Sequence, residues 1–208
     1  MVLFTLNTIQ IIFIITASVI VLTVAFVLIY LPSRKRYIKK HYDEHYYKTI
    51  HRIVTNEDYY LINRFLFKLD DTRTGTIDHI IFGEKYFYII SSKYYEGDIT
   101  GKQFDKSLIL VNKGKKSYIN NPYLESKLLL ERLAMNTDVD AQLMIGIVVT
   151  NRGVNINVEN ESKQFYAIQI NKLPQLIKAI ESRPIPTINE TQLARAVKVF
   201  DKLNRRRN

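Results

Sequence analysis

Hydropathy divides the chain into one long apolar block and a patterned remainder. Ile11 to Leu31 reads IIFIITASVIVLTVAFVLIYL, interrupted only by small or hydroxyl residues, and no residue from Met1 to Ser33 is charged. About 20 residues at roughly 1.5 Å each cross the ~30 Å hydrocarbon core of a bilayer as a helix. A helix also satisfies its own backbone hydrogen bonds in lipid. A secretory signal has a positive leading region, a shorter apolar stretch and a small-residue cleavage site. Here the leading residues carry no Lys or Arg, and Pro32 and a basic run follow. The pattern predicts a retained transmembrane anchor over residues 1–33.

The flanks set its expected orientation. Arg34, Lys35, Arg36, Lys39 and Lys40 follow the span, and no cationic side chain precedes it. The positive-inside rule then places the N-terminus outside and the C-terminal bulk in the cytoplasm of a single-pass cell-membrane protein. The same cluster meets anionic head groups, so membrane lipid is the first expected partner. The Arg205-Arg206-Arg207 tail is a second basic end.

After the anchor, residues 34–55 form a basic, tyrosine-rich connector, helical over Tyr37–Arg52. Tyr60, Leu61, Phe65 and Leu69 fall near helical spacing, which predicts a helix over Glu57–Leu69 ended by Asp70-Asp71 and Gly75. Thr76–Phe82 and Tyr86–Ser92 are β-branched and aromatic runs joined through Gly83-Glu84-Lys85, a hairpin. Ser107–Val111 reads as a third strand, with turn chemistry at Gly97, Gly101 and residues 112–116. Pro122 suits the first turn of a helix running to about Met135. Leu143–Thr150 is nearly continuous apolar sequence, as in a strand buried on both faces. Phe165–Ile170 is a further short strand. Leu173–Glu181 and Gln192–Leu203 read as helices separated by Arg183-Pro184-Ile185-Pro186. No internal repeat is visible. The soluble order is helix, three strands, helix, strand, then accessory elements. This predicts an α/β domain over 56–170, a mixed sheet flanked by helices, with C-terminal helices and a basic tail over 171–208.

Composition narrows the functional classes. A chain of 208 residues holds one ordinary domain plus an appendage. Cysteine is absent, which excludes disulfides, thiol nucleophiles and thiolate zinc sites. A net charge of +10 points to an anionic partner, nucleic acid or a membrane face. There is no P-loop, Rossmann glycine fingerprint or Gly-x-Ser-x-Gly. Aromatics interleave with basic residues at Tyr37–Arg52 and Lys93-Tyr94-Tyr95. Such stretches stack on unpaired bases or sit at a membrane interface; beside the anchor, the interface reading is the stronger for Tyr37–Arg52.

Several motifs recur in one order. Gly75-Thr76-Ile77-Asp78-His79-Ile80-Ile81 is followed by Phe87-Tyr88-Ile89-Ile90-Ser91-Ser92-Lys93, then Tyr95-Glu96-Gly97, Ile99-Thr100-Gly101 and Asn121-Pro122. This series resembles the NERD (nuclease-related domain) family of the PD-(D/E)xK nuclease superfamily, over roughly Asn56 to Thr150. The family pattern has an acidic residue opening a helix, an "IDHI" strand, an "FVIExK" strand, a Gly-x-Ile-x-Gly and an "NPxxQ" helix start. The resemblance implies a restriction-endonuclease-like fold and metal-dependent phosphodiester hydrolysis on DNA or RNA.

Such chemistry needs a hydroxide in line with the leaving oxygen and charge neutralisation at the phosphate. Paired carboxylates bind Mg²⁺ or Mn²⁺, hard cations that prefer oxygen. The metal acidifies its bound water, and a lysine orients that water or contacts phosphate. Ser91 and Lys93 are two apart on one strand and share a face; Asp78 on the neighbouring strand is expected to meet them. By the resemblance, Asp78 is the first acid, Lys93 the lysine, and Glu57 the acid of the first helix, so Asp78 and Glu57 would hold the metal. The second acid is replaced: its position is Ser91, a neutral hydroxyl that cannot supply a carboxylate's charge. The glutamine position of NPxxQ is Glu125. Glu125, Glu96 or Asp98 is the candidate for a migrated carboxylate. The expectation is an impaired phosphodiesterase site; the alternative is a non-catalytic module that binds nucleic acid or scaffolds a protein partner at the membrane, with no cofactor.

His41-Tyr42-Asp43-Glu44-His45 also fits His-x-x-Glu-His, an inverted zinc-protease pattern. It abuts the membrane in a basic, tyrosine-rich connector with no third ligand in view, so an interfacial helix explains it better. His51 has no partner pattern, and His79 belongs to the IDHI element.

Overall fold

The computed structural model describes residues 7–69, 72–137, 139–159 and 161–204, apart from the side chains of residues 8, 9 and 35. Asp70-Asp71 and the Arg205-Arg206-Arg207 tail lie outside the described residues. The chain forms two units, Met1–Tyr42 and Asp43–Asn208.

The first unit is a single helix, α1 (Thr8–Lys40), which continues through Pro32. Its hydroxyls are satisfied internally: Thr16, Ser18 and Thr23 each donate to the carbonyl four residues back at 2.8 Å. That is the arrangement by which such residues are tolerated in lipid. Lys39 and Lys40 fall in the last turn, where cations suit the helix dipole. Over Gln10–Lys40 this helix is long and apolar enough to cross a membrane.

The second unit opens with α2 (Tyr42–Glu57), which carries Asp43 and Glu44 in its first turn. Tyr46, Ile50, Ile53 and Val54 form its buried stripe, at helical spacing. Strands β1 (Tyr60–Lys68), β2 (Thr74–Phe82) and β3 (Phe87–Lys93) then run as an antiparallel meander. A helix over Glu57–Leu69 is therefore not formed. The cause lies in the alternation. Ile62, Phe65 and Phe67 are the buried positions of β1, so the period of two slips by one residue. The slip falls at Arg64, whose φ of 52° lies in the left-handed region. A broken alternation of Tyr, Leu and Phe mimics helical spacing, and the β2 partner strand decides the outcome.

The chain then leaves this sheet. β4 (Asp98–Lys102), β5 (Ser107–Asn112) and β6 (Lys115–Asn120) form an antiparallel set, which β8 (Ile156–Glu159) later joins parallel to β4. The segment Ser107–Val111 is a strand as expected, but of this second sheet, order β6-β5-β4-β8. Gly97 and Gly101 have φ of 145° and 142°. A side chain at Gly97 would overlap the Val111 backbone, which accounts for glycine where β4 approaches β5.

Helix α3 (Pro122–Thr137) returns the chain to the first sheet, where β7 (Met144–Thr150) pairs parallel to β3 and β9 (Phe165–Gln169) parallel to β7. The sheet order is β1-β2-β3-β7-β9. Every residue of β7 is buried, as its uninterrupted apolar run requires. A Cβ at Gly146 would overlap Ser126 and Phe165, so glycine lets α3 seat closely on β7. Helices α4 (Leu173–Glu181) and α5 (Glu190–Leu203) complete the unit. Phe200 of α5 is fully buried against Phe82, Phe65 and Phe87. The expected order of helix, three strands, helix and strand is met only in part: α2 (Tyr42–Glu57) takes the place of the helix expected at Glu57–Leu69, and six strands, β1–β6, precede α3 and β7. The molecule is a mixed α/β structure: a long apolar helix followed by mixed sheets flanked by helices.

Candidate functional site

The ends of β2 and β3 carry the candidate chemistry. The β1–β2 ladder pairs Asn63 with His79 and Phe65 with Ile77 but skips Arg64 and Asp78 between them. The β2–β3 ladder stops at His79 and Ile90. Asp78 thus sits at a local break in both ladders, opposite the left-handed Arg64. Its Oδ2 accepts a hydrogen bond from the Ser92 N–H at 2.6 Å.

Asp78 lines a cleft of about 370 Å³ with Asp43, Glu44 and Tyr47 of α2, Asn63 and Arg64 of β1, and His79 and Ser92. Burial raises the Asp78 carboxyl above the ordinary aspartate value. The Ser92 amide, Lys93 and Arg64 act against that shift, and Asp43 adds to it. His79 is pushed down to about 4, first by burial and then by Arg64, so its ring is neutral near pH 7. Its Nδ1 lies 2.7 Å from Asn63 Oδ1, which assigns the ring proton to Nδ1 because an amide oxygen only accepts.

Lys93 is committed elsewhere. Its ammonium lies 2.8 Å from Oε2 of Glu125, in the first turn of α3. Tyr46 of α2 donates its hydroxyl to the Lys93 carbonyl at 3.3 Å. Ser91, buried at 8% exposure, stands one residue before the amide that binds Asp78. The structure therefore joins Lys93 to Glu125 and Asp78 to the Ser92 amide. Lys93 is not among the residues lining the Asp78 cleft, although its charge still acts on Asp78.

Glu57 is not brought to this place. It lines a separate groove of about 450 Å³ with Arg52, Tyr59, Glu84 and Glu181. Glu44 and Glu57 are 13 positions apart on α2, roughly 20 Å along its axis. The acids that α2 presents to Asp78 are Asp43 and Glu44, in the first turn. The sequence places both in the helical connector Tyr37–Arg52, beside the expected membrane interface, and the acid-bearing helix at Glu57–Leu69, which is why neither is a candidate there. Asp98 accepts from the Asn155 N–H at 3.0 Å in the second sheet. Glu96 lies between β3 and β4. Neither lines the cleft.

Asn121-Pro122 has a structural part. Asn121 is buried, donates to the carbonyls of Gln103 at 2.9 Å and Asp105 at 2.6 Å, and accepts from Tyr123 N at 2.9 Å. It fixes the start of α3, and with it Glu125. Gln103, fully buried, donates to the Phe165 carbonyl and accepts from the Glu161 and Ser162 amides. No motif announced this joint between the two sheets.

A hard divalent cation needs several oxygen ligands converging on one point. Asp78 spends one oxygen on an amide, Glu125 binds Lys93, and Glu44 lies 2.7 Å from Lys48. Among the described residues no three His, Asp or Glu side chains gather as a metal site. In this arrangement the residues do not fit Mg²⁺ or Mn²⁺. The His-x-x-Glu-His pattern is likewise dispersed: His41 Nδ1 faces the Tyr37 carbonyl at 3.0 Å and Glu44 faces Lys48.

The sequence pattern of a family described as NERD, nuclease-related domain, matches residues 36–151. The match begins ahead of Asn56 and takes in the whole of α2. No curated protein matches the chain. The crystal structure of a protein of unknown function, AF1548, matches at 11% identity over 76% of this chain and 95% of that one, with a TM-score of 0.34.

Proposed function

Because the chain belongs to the nuclease-related domain (NERD) family, we propose that it is a single-pass cell-membrane protein whose nuclease-related domain faces the cytoplasm. In this reading the metal-dependent phosphodiesterase site is impaired. The observation that carries it is the fate of the charges around β3. Ser91 stands where the family has an acid, and Lys93, the nuclease-like lysine, is neutralised by Glu125 at 2.8 Å. A divalent cation needs several converging oxygens; of the cleft acids, Asp78 has one oxygen on an amide, Glu44 faces Lys48 at 2.7 Å, and Asp43 does not gather with them into a three-ligand cluster among the described residues. The order α2, β1–β3, α3, β7 supports a restriction-endonuclease-like arrangement. Asp78, Lys93, Ser91 and Glu125 remain the residues of the degenerate site, with Asp43 and Glu44 taking the place first given to Glu57. If any activity persists, it is hydrolysis of DNA or RNA with Mg²⁺ or Mn²⁺.

The second reading is a binding or scaffolding module at the membrane. The net charge of +10 favours it, since that charge suits nucleic acid or anionic lipid whether or not cutting occurs.

The test uses the full chain in neutral-lipid nanodiscs with labelled single- and double-stranded DNA and RNA, in Mg²⁺ or Mn²⁺. The expected result is no cleavage above that of an Asp78→Ala variant. Cleavage that vanishes in Asp78→Ala overturns the impaired-site reading. Anchoring is tested by Leu22→Arg in the middle of the apolar block. A charge at a helix centre costs about 2.5–3.5 kcal/mol of insertion. Fifteen Ile, Val, Leu and Phe residues over Ile11–Leu31, at roughly 0.3–0.6 kcal/mol each, outweigh one Arg, so Val19→Arg and Phe26→Arg are added. The triple variant should move into the alkali-extractable fraction, and its unchanged retention overturns the span. Protease digestion of intact cells should remove an N-terminal tag and spare a C-terminal one.

A further inference from the structure

The second sheet buries one face, and on the other the β6 residues Lys116 and Tyr118 are exposed while Ile109 and Val111 are half-buried. Ile99 and Leu108 are buried, and Leu110, Ile119, Ile156 and Val158 pack against the core on the same side. Directly opposed residues of an antiparallel ladder share a face. The pairs Ile109↔Tyr118 and Val111↔Lys116 therefore lie together on the outer side. Tyr118 is 80% exposed, the most exposed large apolar side chain of the second unit among the described residues. It belongs to β6, an edge strand.

The strand pair is rigidly closed. Lys113 and Gly114, between the paired Asn112 and Lys115, have φ of 49° and 79°. Two positive φ values in a two-residue loop make the turn whose twist matches a hairpin. The tip carries Lys113, Lys115 and Lys116, and no carboxylate occurs from Lys106 to Leu124. A solvent-facing ring beside a one-sided cationic border is complementary to a polyanion that offers planar faces.

We propose that this outer face binds single-stranded nucleic acid, with a base stacked on Tyr118 and phosphates met by Lys116 on the same face and Lys113 at the tip. The surface is separate from Asp78 and Lys93 and needs no metal. A duplex hides its base faces, so stacking on a ring selects unpaired strands. Lys116 stands two residues from Tyr118 on the same face, roughly 7 Å along the strand, so a cation and the ring can meet a phosphate and its neighbouring base together.

The full chain in neutral-lipid nanodiscs is titrated into fluorescein-labelled oligothymidylate and oligouridylate in EDTA, with anisotropy as the readout. EDTA separates this result from the cleavage assay, which depends on metal. Tyr118→Ala should weaken binding about tenfold, the effect of losing one base stack of about 1.4 kcal/mol. Tyr118→Phe should retain it. Lys113→Ala and Lys116→Ala together should flatten the slope of log affinity against log salt by about 1.4, at roughly 0.7 per phosphate contact. Tyr118→Ala binding as tightly as the parent overturns the proposal, as does a duplex bound equally well or no binding by the parent. Loss of anionic-vesicle binding in Tyr118→Ala with oligonucleotide binding unchanged assigns the face to lipid and also overturns it.

Discussion

The Lys93 ammonium lies 2.8 Å from Glu125 Oε2, so the last residue of β3 is tied to the first turn of α3. Both side chains are well exposed, at 39% and 42%. Solvent screens such a pair, and its weight lies in where it holds the lysine rather than in stability. In a double-mutant cycle of Glu125→Gln and Lys93→Met, the coupling should stay below about 1 kcal/mol in urea unfolding. A coupling several times larger would show a pair far drier than its exposure indicates.

Ser91→Glu restores a carboxylate at a position only 8% exposed. Without metal it buries a charge one residue before the amide that binds Asp78, whose own carboxyl is already raised by burial. The variant should be less stable by about 1–3 kcal/mol in EDTA. Mn²⁺ should restore part of that loss, since a ligand of the folded state alone stabilises it. Differential scanning fluorimetry with and without Mn²⁺ reads both. A thermal midpoint insensitive to Mn²⁺ would mean that more than one missing acid separates this site from a metal centre.

Glu181 supplies a pH test away from that site. Burial raises its carboxyl above 4.5, against the hydrogen bonds from Tyr88 and Lys85 N. A raised carboxyl pKa means that the folded state holds its proton to higher pH than the unfolded state does. Stability from this group is complete below the unfolded value of 4.5 and is lost as pH rises through the folded one. Relative to Glu181→Gln, the parent should therefore lose stability as pH rises above 4.5. Urea midpoints of the two proteins at a series of pH values decide it; parallel curves would remove Glu181 as the cause.

Phe200 tests how far the folded unit extends beyond the residues matched by the family pattern. Its ring lies 5.2 Å from Phe82, 5.8 Å from Phe65 and 6.3 Å from Phe87. Phe200→Ala leaves a cavity among the three strands and should cost about 3–5 kcal/mol. The chain should then unfold earlier as one cooperative unit. A loss below about 1 kcal/mol would make α5 an appendage rather than part of the core.

The sequence by itself determined the features whose signal is local. The uncharged block becoming α1, the continuous run of β7, the β2–β3 hairpin, and the helices α3 to α5 each announce themselves within a few consecutive residues. Hydrophobic run length and period are properties of neighbours. The family motifs Ile77-Asp78-His79-Ile80 and Asn121-Pro122 were legible in the same way.

Tertiary structure decided the rest. Only pairing with β2 makes Tyr60–Lys68 a strand, because the left-handed Arg64 breaks the alternation that would have declared it. The short strands β4, β6 and β8 gain their identity from partners across the second sheet, not from their own composition. The acids near Asp78 are set by how α2 docks, which puts Asp43 and Glu44 at the cleft and carries Glu57 away. Charges meet when distant segments pack, and no spacing along one segment records that distance.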